Sequence, residues 1–388
     1  MSSIPEEIYL EILLRVPVQT TFVCKCVCKS WLALISSIDF VKRRLNITIQ
    51  INNPKIMLKY HKLVPKSAVI YSANYDSLSS SMNEFVDDAV EMDYPMGFWK
   101  PIGTCDGLVC CISFELSFEG CIRDVIFLWN PTTQEYKELP VSPNDSSDSK
   151  EVAICGFGYD SKIDDYKVVK LLQYREDFQV DRTDPSHGMS SVDVYTMGSN
   201  SWKSIGSVPY TFPICCRSGA LVNGALHWLG HSQAQDNSLV VVSLNISEER
   251  FEDMQLPKQP SDKNTEFISV GVLEGRLCVI VNVDDIRFEI WRMQDYGVRE
   301  SWNICHVITN ERVMNDYYLM LVWFRNGEIL FKIPSDLVFY DPKNGTARKA
   351  NIHSSMILVS QEIYFESLVS VNSGTYVEPR GNRGMIET

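Results

Sequence analysis

Val222-Asn223-Gly224-Ala225-Leu226-His227-Trp228 places an Asn-Gly pair between apolar residues. Such a pair supplies the positive φ angles of a two-residue turn, so the segment predicts two tightly joined antiparallel strands. The same grammar recurs at Thr104-Cys105-Asp106-Gly107-Leu108-Val109, Leu273-Glu274-Gly275-Arg276-Leu277 and Arg325-Asn326-Gly327-Glu328-Ile329. A variant runs from Gly156-Phe157-Gly158-Tyr159-Asp160 into Asp165-Tyr166-Lys167-Val168-Val169. Each hairpin is followed by a further apolar strand: Phe127-Leu128-Trp129-Asn130, Val192 to Tyr195, Val240 to Asn245, Phe288 to Trp291 or Leu337 to Asp341. In four of the units a segment with one large aromatic comes next, and these markers, Tyr136, Trp202, Phe251 and Trp302, are 66, 49 and 51 residues apart. A period near 50 with about four short strands per unit is the signature of a β-propeller blade.

Five such units lie between residues 101 and 353, a degenerate one (Ile56 to Tyr75) precedes them, and a lone strand, Phe365 to Val371, follows. A blade leaves apolar faces uncovered until its neighbours stack, so the ring must close. The simplest closure pairs the last strand with the first unit. The expectation is therefore a mainly β chain: a small helical N-terminal module over residues 1–45, a β-propeller over 55–372 with six blades (seven being the alternative), and a frayed tail over 373–388. Residues 79–93, 142–150 and 176–190 read as solvated loops.

The chain has 388 residues, 22% charged and 45% hydrophobic, which suits a globular protein of two or three domains. Its net charge is −13. Residues 1–45 carry six basic and four acidic side chains, so that segment is +2 and the remainder −15. An acidic chain is poorly suited to nucleic-acid phosphates or an anionic membrane, and neither is expected as a partner. Twelve cysteines without any C-x-x-C pair argue against a disulfide scaffold, a zinc ribbon or a thioredoxin motif. The first residues lack a basic and apolar leader, and the longest apolar run, Leu319 to Phe324, is far too short to span a bilayer. A reducing cytoplasmic or nuclear setting is expected, with the sequons at Asn46, Asn144, Asn245 and Asn344 coincidental.

The first 45 residues read as small helices. Pro5 suits a first helical position, with Glu6 and Glu7 in the first turn. Ile8, Ile12 and Val16 form a stripe at i, i+4, i+8, and Pro17 ends it. Further segments run from Val18 to Val27, Lys29 to Ile35 and Asp39 to Leu45. A unit this small cannot bury a large core and often completes it on a partner. Ile4-Pro5-Glu6-Glu7-Ile8, Ile12-Leu13-Leu14-Arg15-Val16-Pro17-Val18, Cys26-Val27-Cys28-Lys29-Ser30-Trp31, Leu34-Ile35 and Phe40 together resemble an F-box without gaps. Ile4 and Val16 replace leucines of the family pattern, and Thr21, Val23 and Cys24 stand where plant members usually carry Leu, Arg and Phe. The resemblance implies docking to a Skp-family adaptor and through it to a cullin-RING ubiquitin ligase. It makes Ile4, Pro5, Ile8, Leu13, Val16, Pro17, Val27 and Trp31 candidates for the adaptor face; the alternative for each is that it holds the helices together.

The repeats in turn resemble the F-box-associated domain of plant F-box proteins, sometimes labelled kelch-type. The matching segments are Leu128-Trp129-Asn130-Pro131-Thr132-Thr133, Gly156 to Asp160 with Asp165 to Val169, Gly224-Ala225-Leu226-His227-Trp228, Ile290-Trp291 with Tyr296-Gly297-Val298 and Ser301-Trp302, and Glu366-Ser367-Leu368-Val369. The double-glycine signature of kelch repeats is absent.

Signals for an enzyme are thin. Gly156-Phe157-Gly158 lacks the third glycine of a dinucleotide fingerprint, since Ser161 stands there. Asp160, Asp164 and Asp165 miss the EF-hand pattern and read as an acidic hairpin turn. His227 and His231 read as a strand end, not a metal-binding helix. No catalytic, metal or cofactor site is expected. The leading expectation is a non-catalytic receptor that brings an unknown protein substrate to the ligase, with immune regulation as the pathway the resemblance favours. Alternatives are a pollen-type receptor for secreted ribonucleases, a propeller hydrolase and a scaffold that no longer engages the ligase.

Overall fold

The structure is a computed structural model that describes residues 5–372 apart from 63–66, 80–88, 93–98, 117–121, 146–150, 175–188, 214–217, 259–264, 284–286, 310–319, 334–335 and 351–355. The expected tail at 373–388, Ile4, and most of the expected loops at 79–93 and 176–190 lie outside the described residues.

Four helices open the chain: α1 (Glu6–Leu13), α2 (Val18–Cys24), α3 (Lys29–Ile35) and α4 (Ile38–Ile51). Pro5 and Pro17 stand immediately before α1 and α2, where a missing N–H costs nothing. Ser37 caps α4 by accepting from the Phe40 N–H at 3.3 Å. Two expected boundaries move. The second helix stops at Cys24 rather than Val27, because the N–H groups of Cys26 and Val27 turn to the carbonyls three residues back, at 3.0 and 3.2 Å. The fourth runs six residues past Leu45 to Ile51. Its β-branched end is held helical by tertiary packing of Ile47 on the core.

Six antiparallel sheets follow, one per blade. Blade one joins β1 (Lys55–Lys62), β2 (Ser67–Asn74) and β3 (Val90–Glu91), with the short helix α5 (Tyr75–Ser79) after β2. Blade two is β4 (Trp99–Cys105), β5 (Leu108–Leu116), β6 (Ile122–Asn130) and β7 (Glu135–Glu138). Blade three is β8 (Glu151–Asp160), β9 (Asp165–Tyr174), β10 (Ser190–Thr196) and β11 (Ser201–Val208). Blade four holds β12 (Tyr210–Thr211), β13 (Ala220–Val222), β14 (Ala225–Ser232), β15 (Ser238–Asn245) and β16 (Arg250–Met254). Blade five is β17 (Thr265–Leu273), β18 (Arg276–Val283), β19 (Arg287–Met293) and β20 (Trp302–Ile308). Blade six is β21 (Met320–Arg325), β22 (Glu328–Ile333), β23 (Asp336–Asp341) and β24 (Thr346–Lys349). The last strand, β25 (Met356–Tyr364), returns to β1 and supplies the inner strand of blade one, in the order β25-β1-β2-β3. Inner strands then touch in a ring, β25 on β4, β4 on β8, β8 on β13 and β14, these on β17, β17 on β21, and β21 on β25.

The closure is the expected one, but the strand that performs it is not. Met356–Tyr364 closes the ring, and residues 365–370 form no strand at all. Their apolar residues Leu368 and Val369 are buried instead in the cluster shared by the helices and blades two and three. Tyr136, Trp202, Phe251 and Trp302 all lie on outermost strands, and Tyr136 is 51% exposed. Trp302 is buried at the seam between blades four and five, and Trp99, Trp129 and Trp228 are buried deeper, at 2% exposure or less. The start of the expected loop at 142–150 is not solvated. Ser142 is buried, and Asp145 accepts from the buried Lys170 ammonium at 2.8 Å.

Alternation along each strand sends successive side chains to opposite faces, and both faces are covered by neighbouring blades. The buried apolar residues accordingly fall into six clusters, one per seam. Between blades one and two, Trp99 meets Phe127 and Trp129 edge-on at 5.9 and 5.8 Å. The seam between blades two and three is enlarged: its cluster also takes in Leu13, Leu14, Val18, Ile35, Phe40, Val41 and Leu45 of the helices, and Leu368, Val369 and Val371.

The tight first-to-second turns of blades two, four, five and six place both central residues at positive φ: Asp106-Gly107, Asn223-Gly224, Glu274-Gly275 and Asn326-Gly327. At Gly107, with φ +81°, a Cβ would also fall 2.3 Å from the Ser367 Cβ and 2.4 Å from the Phe365 carbonyl. At Gly275, with φ +71°, nothing lies within 4 Å. Gly275→Ala therefore costs about 1 kcal/mol of backbone strain. Gly107→Ala costs more, roughly 3 kcal/mol, because the chain above it must move. Denaturant titration of the two variants should show that order; equal losses would refute it.

His227, on β14, is fully buried. One ring nitrogen lies 3.1 Å from the Ala220 carbonyl and the other 2.8 Å from the Tyr296 hydroxyl, tying blade four to the turn between β19 and β20. Burial pushes its pKa down to about 4. The unfolded chain then binds a proton that the folded chain refuses, so stability falls as pH drops from about 6.5 towards 4. At pH 5 the loss attributable to this ring is about 2 kcal/mol. Thermal melts at pH 7 and pH 5 should show a drop that a His227→Gln variant lessens; an identical drop in the variant would refute the assignment.

Candidate docking face on the helical module

Helix α1 is apolar on two sides. Leu13 turns inward and is 1% exposed, with Leu14 and Val18 beside it in the cluster shared with the propeller. Ile8 and Ile12 turn outward and are 51% and 55% exposed. Together with Glu7, Glu11, Arg15 and Val16 they line an open groove of about 570 Å³. Charged stems flank the apolar floor. Arg15 pairs with Glu11 one turn back, and Arg43 of α4 reaches the same carboxylate at 3.4 Å. The hydrogen bond and charge of Arg15, then the charge of Arg43, hold the Glu11 carboxyl below its ordinary range.

The sequence candidates separate once placed. Pro5, Ile8, Pro17 and Val27 are exposed, and Val16 is half-buried on the groove wall. Trp31 packs partly against the core, its ring centroid 6.1 Å from that of Tyr9 on α1. Leu13 does not reach the outer face; it holds the helices together. Two further residues belong with the exposed set. Ile12 sits in the sequence stripe but outside the family-based candidates, and Val23, on α2, is 69% exposed beside Val27 at 62%. Their exposure could be read only once the inner face of α1 was known.

The helical module is fixed to one rim of the propeller. Lys42 of α4 meets Asp164, in the β8–β9 turn, at 2.5 Å, and Tyr159 donates to the same carboxylate. These bonds, Lys42 first, keep the Asp164 carboxyl below its usual range. At its other end, Ile51 and Asn52 share a cavity of about 460 Å³ with Glu274, Arg325 and Asn326, in the turns of blades five and six. Blades three and six stand opposite one another in a ring of six, so α4 lies across the mouth of the ring. This rim carries the first-to-second and third-to-fourth turns. The second strand of each blade ends at the opposite rim, as β9 does at Tyr174, and so does the outermost strand, as β20 does at Ile308.

Among the described residues no group of three or more His, Cys, Asp and Glu side chains is arranged to hold a metal ion. Asp160 instead pairs with Lys167 at 2.9 Å and accepts from Ser247 at 2.5 Å, linking blades three and four. No helix among the described residues is long and apolar enough to cross a membrane.

Comparison with known proteins matches residues 1–43 to the F-box domain and residues 50–371 to the F-box associated beta propeller domain. An F-box/kelch-repeat protein of Arabidopsis thaliana is 28% identical over 379 residues, covering 95% of this chain and 96% of that protein. The F-box protein CPR1 of the same plant is 27% identical over 394 residues, covering 95% and 89%. Among solved structures, the beta-propeller domain of the Trilobed protease from Pyrococcus furiosus gives a TM-score of 0.41 at 11% identity, over 76% of this chain and 79% of that one, and decides nothing about function. With most of its length matched in a single order, the chain belongs to the F-box proteins that carry an F-box-associated β-propeller domain.

Proposed function

We propose that this chain is the target-recognition subunit of a cullin-RING ubiquitin ligase of the Skp–cullin–F-box type. The helical module docks a Skp-family adaptor, and the propeller holds a protein for ubiquitin transfer by the other subunits. It performs no chemistry itself. The observation that carries the docking half is the α1 groove: two isoleucines one turn apart, each more than half exposed, on a module whose inner core is already complete. The target half rests on the topology. Helix α4 occupies the rim with the tight turns, so the opposite rim, with the longer connections, is the face open to a target. For that target we take first the control of immune receptor levels that the family resemblance suggests, with secreted ribonucleases in pollen recognition second. The chain would work in the cytoplasm or nucleus.

The two sides of α1 give the test. Ile8→Asp with Ile12→Asp should lower adaptor affinity by more than about tenfold, because a buried carboxylate would face an apolar partner surface. The same pair should leave the melting temperature nearly unchanged, since exposed substitutions rarely move stability by more than about 0.5 kcal/mol. Leu13→Ala should do the reverse and destabilise the fold by roughly 2–5 kcal/mol. Titration of a purified Skp-family adaptor against the full chain, beside thermal melts, measures both. Unchanged adaptor affinity in the double variant would sink the docking assignment.

A further inference from the structure

The ring is closed once β25 ends at Tyr364, yet the chain continues inward. Of residues 365–371, five are buried: Ser367, Leu368, Val369, Ser370 and Val371. They add no strand to any sheet. Their contacts instead reach the helical module and several blades. Phe365 packs edge-on against Trp323 of blade six at 6.1 Å. Glu366 accepts from Gln19 of α2 at 2.8 Å and lies 4.0 Å from the Lys55 ammonium at the start of β1. The charge of Glu366 also acts on the Arg44 guanidinium, which itself donates to the Leu14 carbonyl. Leu368, Val369 and Val371 share one apolar cluster with Leu13, Leu14 and Val18 of the helices and with the facing strands of blades two and three.

One side chain holds this segment in register. Asn130, at the end of β6 and fully buried, donates its amide to the carbonyls of Ser367 at 3.1 Å and Val369 at 2.7 Å. Its carbonyl oxygen accepts from the N–H groups of Thr132 and Thr133 at 2.8 and 3.3 Å. Thr132 returns a bond, its hydroxyl accepting from the Ser367 N–H at 3.2 Å. All the hydrogen-bonding capacity of one amide group is thus divided between the blade-two turn and the segment that follows β25. The side-chain-free approach at Gly107 is the second mark of a built seat, since any Cβ there would collide with Ser367.

We propose that residues 365–371 are a strap that sets the orientation of the helical module on the propeller, with Asn130 as its positioning residue. Ring closure and module attachment are separate tasks, done by consecutive pieces of the same C-terminal segment. The consequence for function rests on the ligase reading: the strap keeps the α1 groove at a constant distance and angle from the opposite rim, where the target would sit. The strap itself does not depend on that reading.

The test uses the free full-length chain and local hydrogen exchange. Asn130→Asp keeps the oxygen that caps Thr132 and Thr133 and removes both donors to the strap. The expected result is exchange about tenfold faster or more at the amides of α1, α2 and α4, with β14 to β20 unchanged. A chain ending at Tyr364 should show the same pattern, and one ending at Asn372 should not. Small-angle scattering of Asn130→Asp should broaden at unchanged melting of the propeller. Unchanged exchange in the helices of Asn130→Asp would overturn the proposal, and so would equal loss of protection in helices and blades, which would make Asn130 a general stabiliser. If the shortened chain fails to fold, Asn130→Asp alone decides. Adaptor titration is measured separately: a chain that binds no adaptor but shows the exchange pattern refutes the ligase reading and keeps the strap, and the converse result refutes the strap alone.

Discussion

Every blade of this protein is apolar on both faces, so the pairing of β25 with β1 is the constraint on which the rest depends. Lys55 pairs with Tyr364 and Tyr60 with Leu358, across a single register shift. Bringing ends about 300 residues apart together costs about 5 kcal/mol of chain entropy in the logarithmic estimate. Without that pairing the two seams that flank blade one lose their inner strand. Those seams bury Trp99, Trp129, Tyr60, Leu330 and Phe339 among others, and each large side chain contributes about 1.5–3 kcal/mol when removed from water. Burial therefore exceeds the closure cost severalfold. The long-range pairing is stable because the seams on either side need it.

That closure also decides where the helical module can sit. The chain enters the ring through α4 and β1 and leaves it through β25, so both connections emerge on the rim of tight turns. The segment after β25 has little choice but to run under the helices that precede β1. The seam between blades two and three then becomes a three-way junction, in which apolar residues from the N-terminal helices, the blades and the C-terminal segment form one cluster. A 45-residue helical unit is too small to stabilise itself well. It borrows the propeller for its inner core, and Ile8 and Ile12 stay more than half exposed among the described residues.

The repeat was legible because its signals are local. A Gly at positive φ after Asp, Asn or Glu fixes a hairpin whatever surrounds it, and four such pairs stand at the same place in four blades. Six blades follow from counting these four with the variant hairpin of Gly156 to Val169 and the degenerate first unit. What the sequence concealed depends on contacts far along the chain. Residues 365–371 have the apolar pattern of a strand, and only the ring shows that Met356–Tyr364 occupies the pairing position first. Residues 46–51 are rich in isoleucine and threonine, which favour strands, yet packing of Ile47 keeps them in α4. The aromatic markers kept the period: all four stand on outermost strands, with Tyr136 half exposed and Trp302 buried in the seam between blades four and five.

The docking face was half legible for a related reason. A helix of eight residues makes little more than two turns, and α1 spends apolar residues on both sides of them. Ile8 and Ile12 lie on one side and Leu13 on the other, and spacing alone does not say which side meets the core. In an ordinary amphipathic helix the polar face settles the matter. Here Glu7, Glu11 and Arg15 border the outer isoleucines instead of opposing them, so the charged residues frame an apolar floor. Charges placed around apolar residues, rather than across the helix from them, are what a covered surface with a polar rim requires. Glu11, held by Arg15 and Arg43, thus supplies the polar border of the floor that Ile8 and Ile12 form.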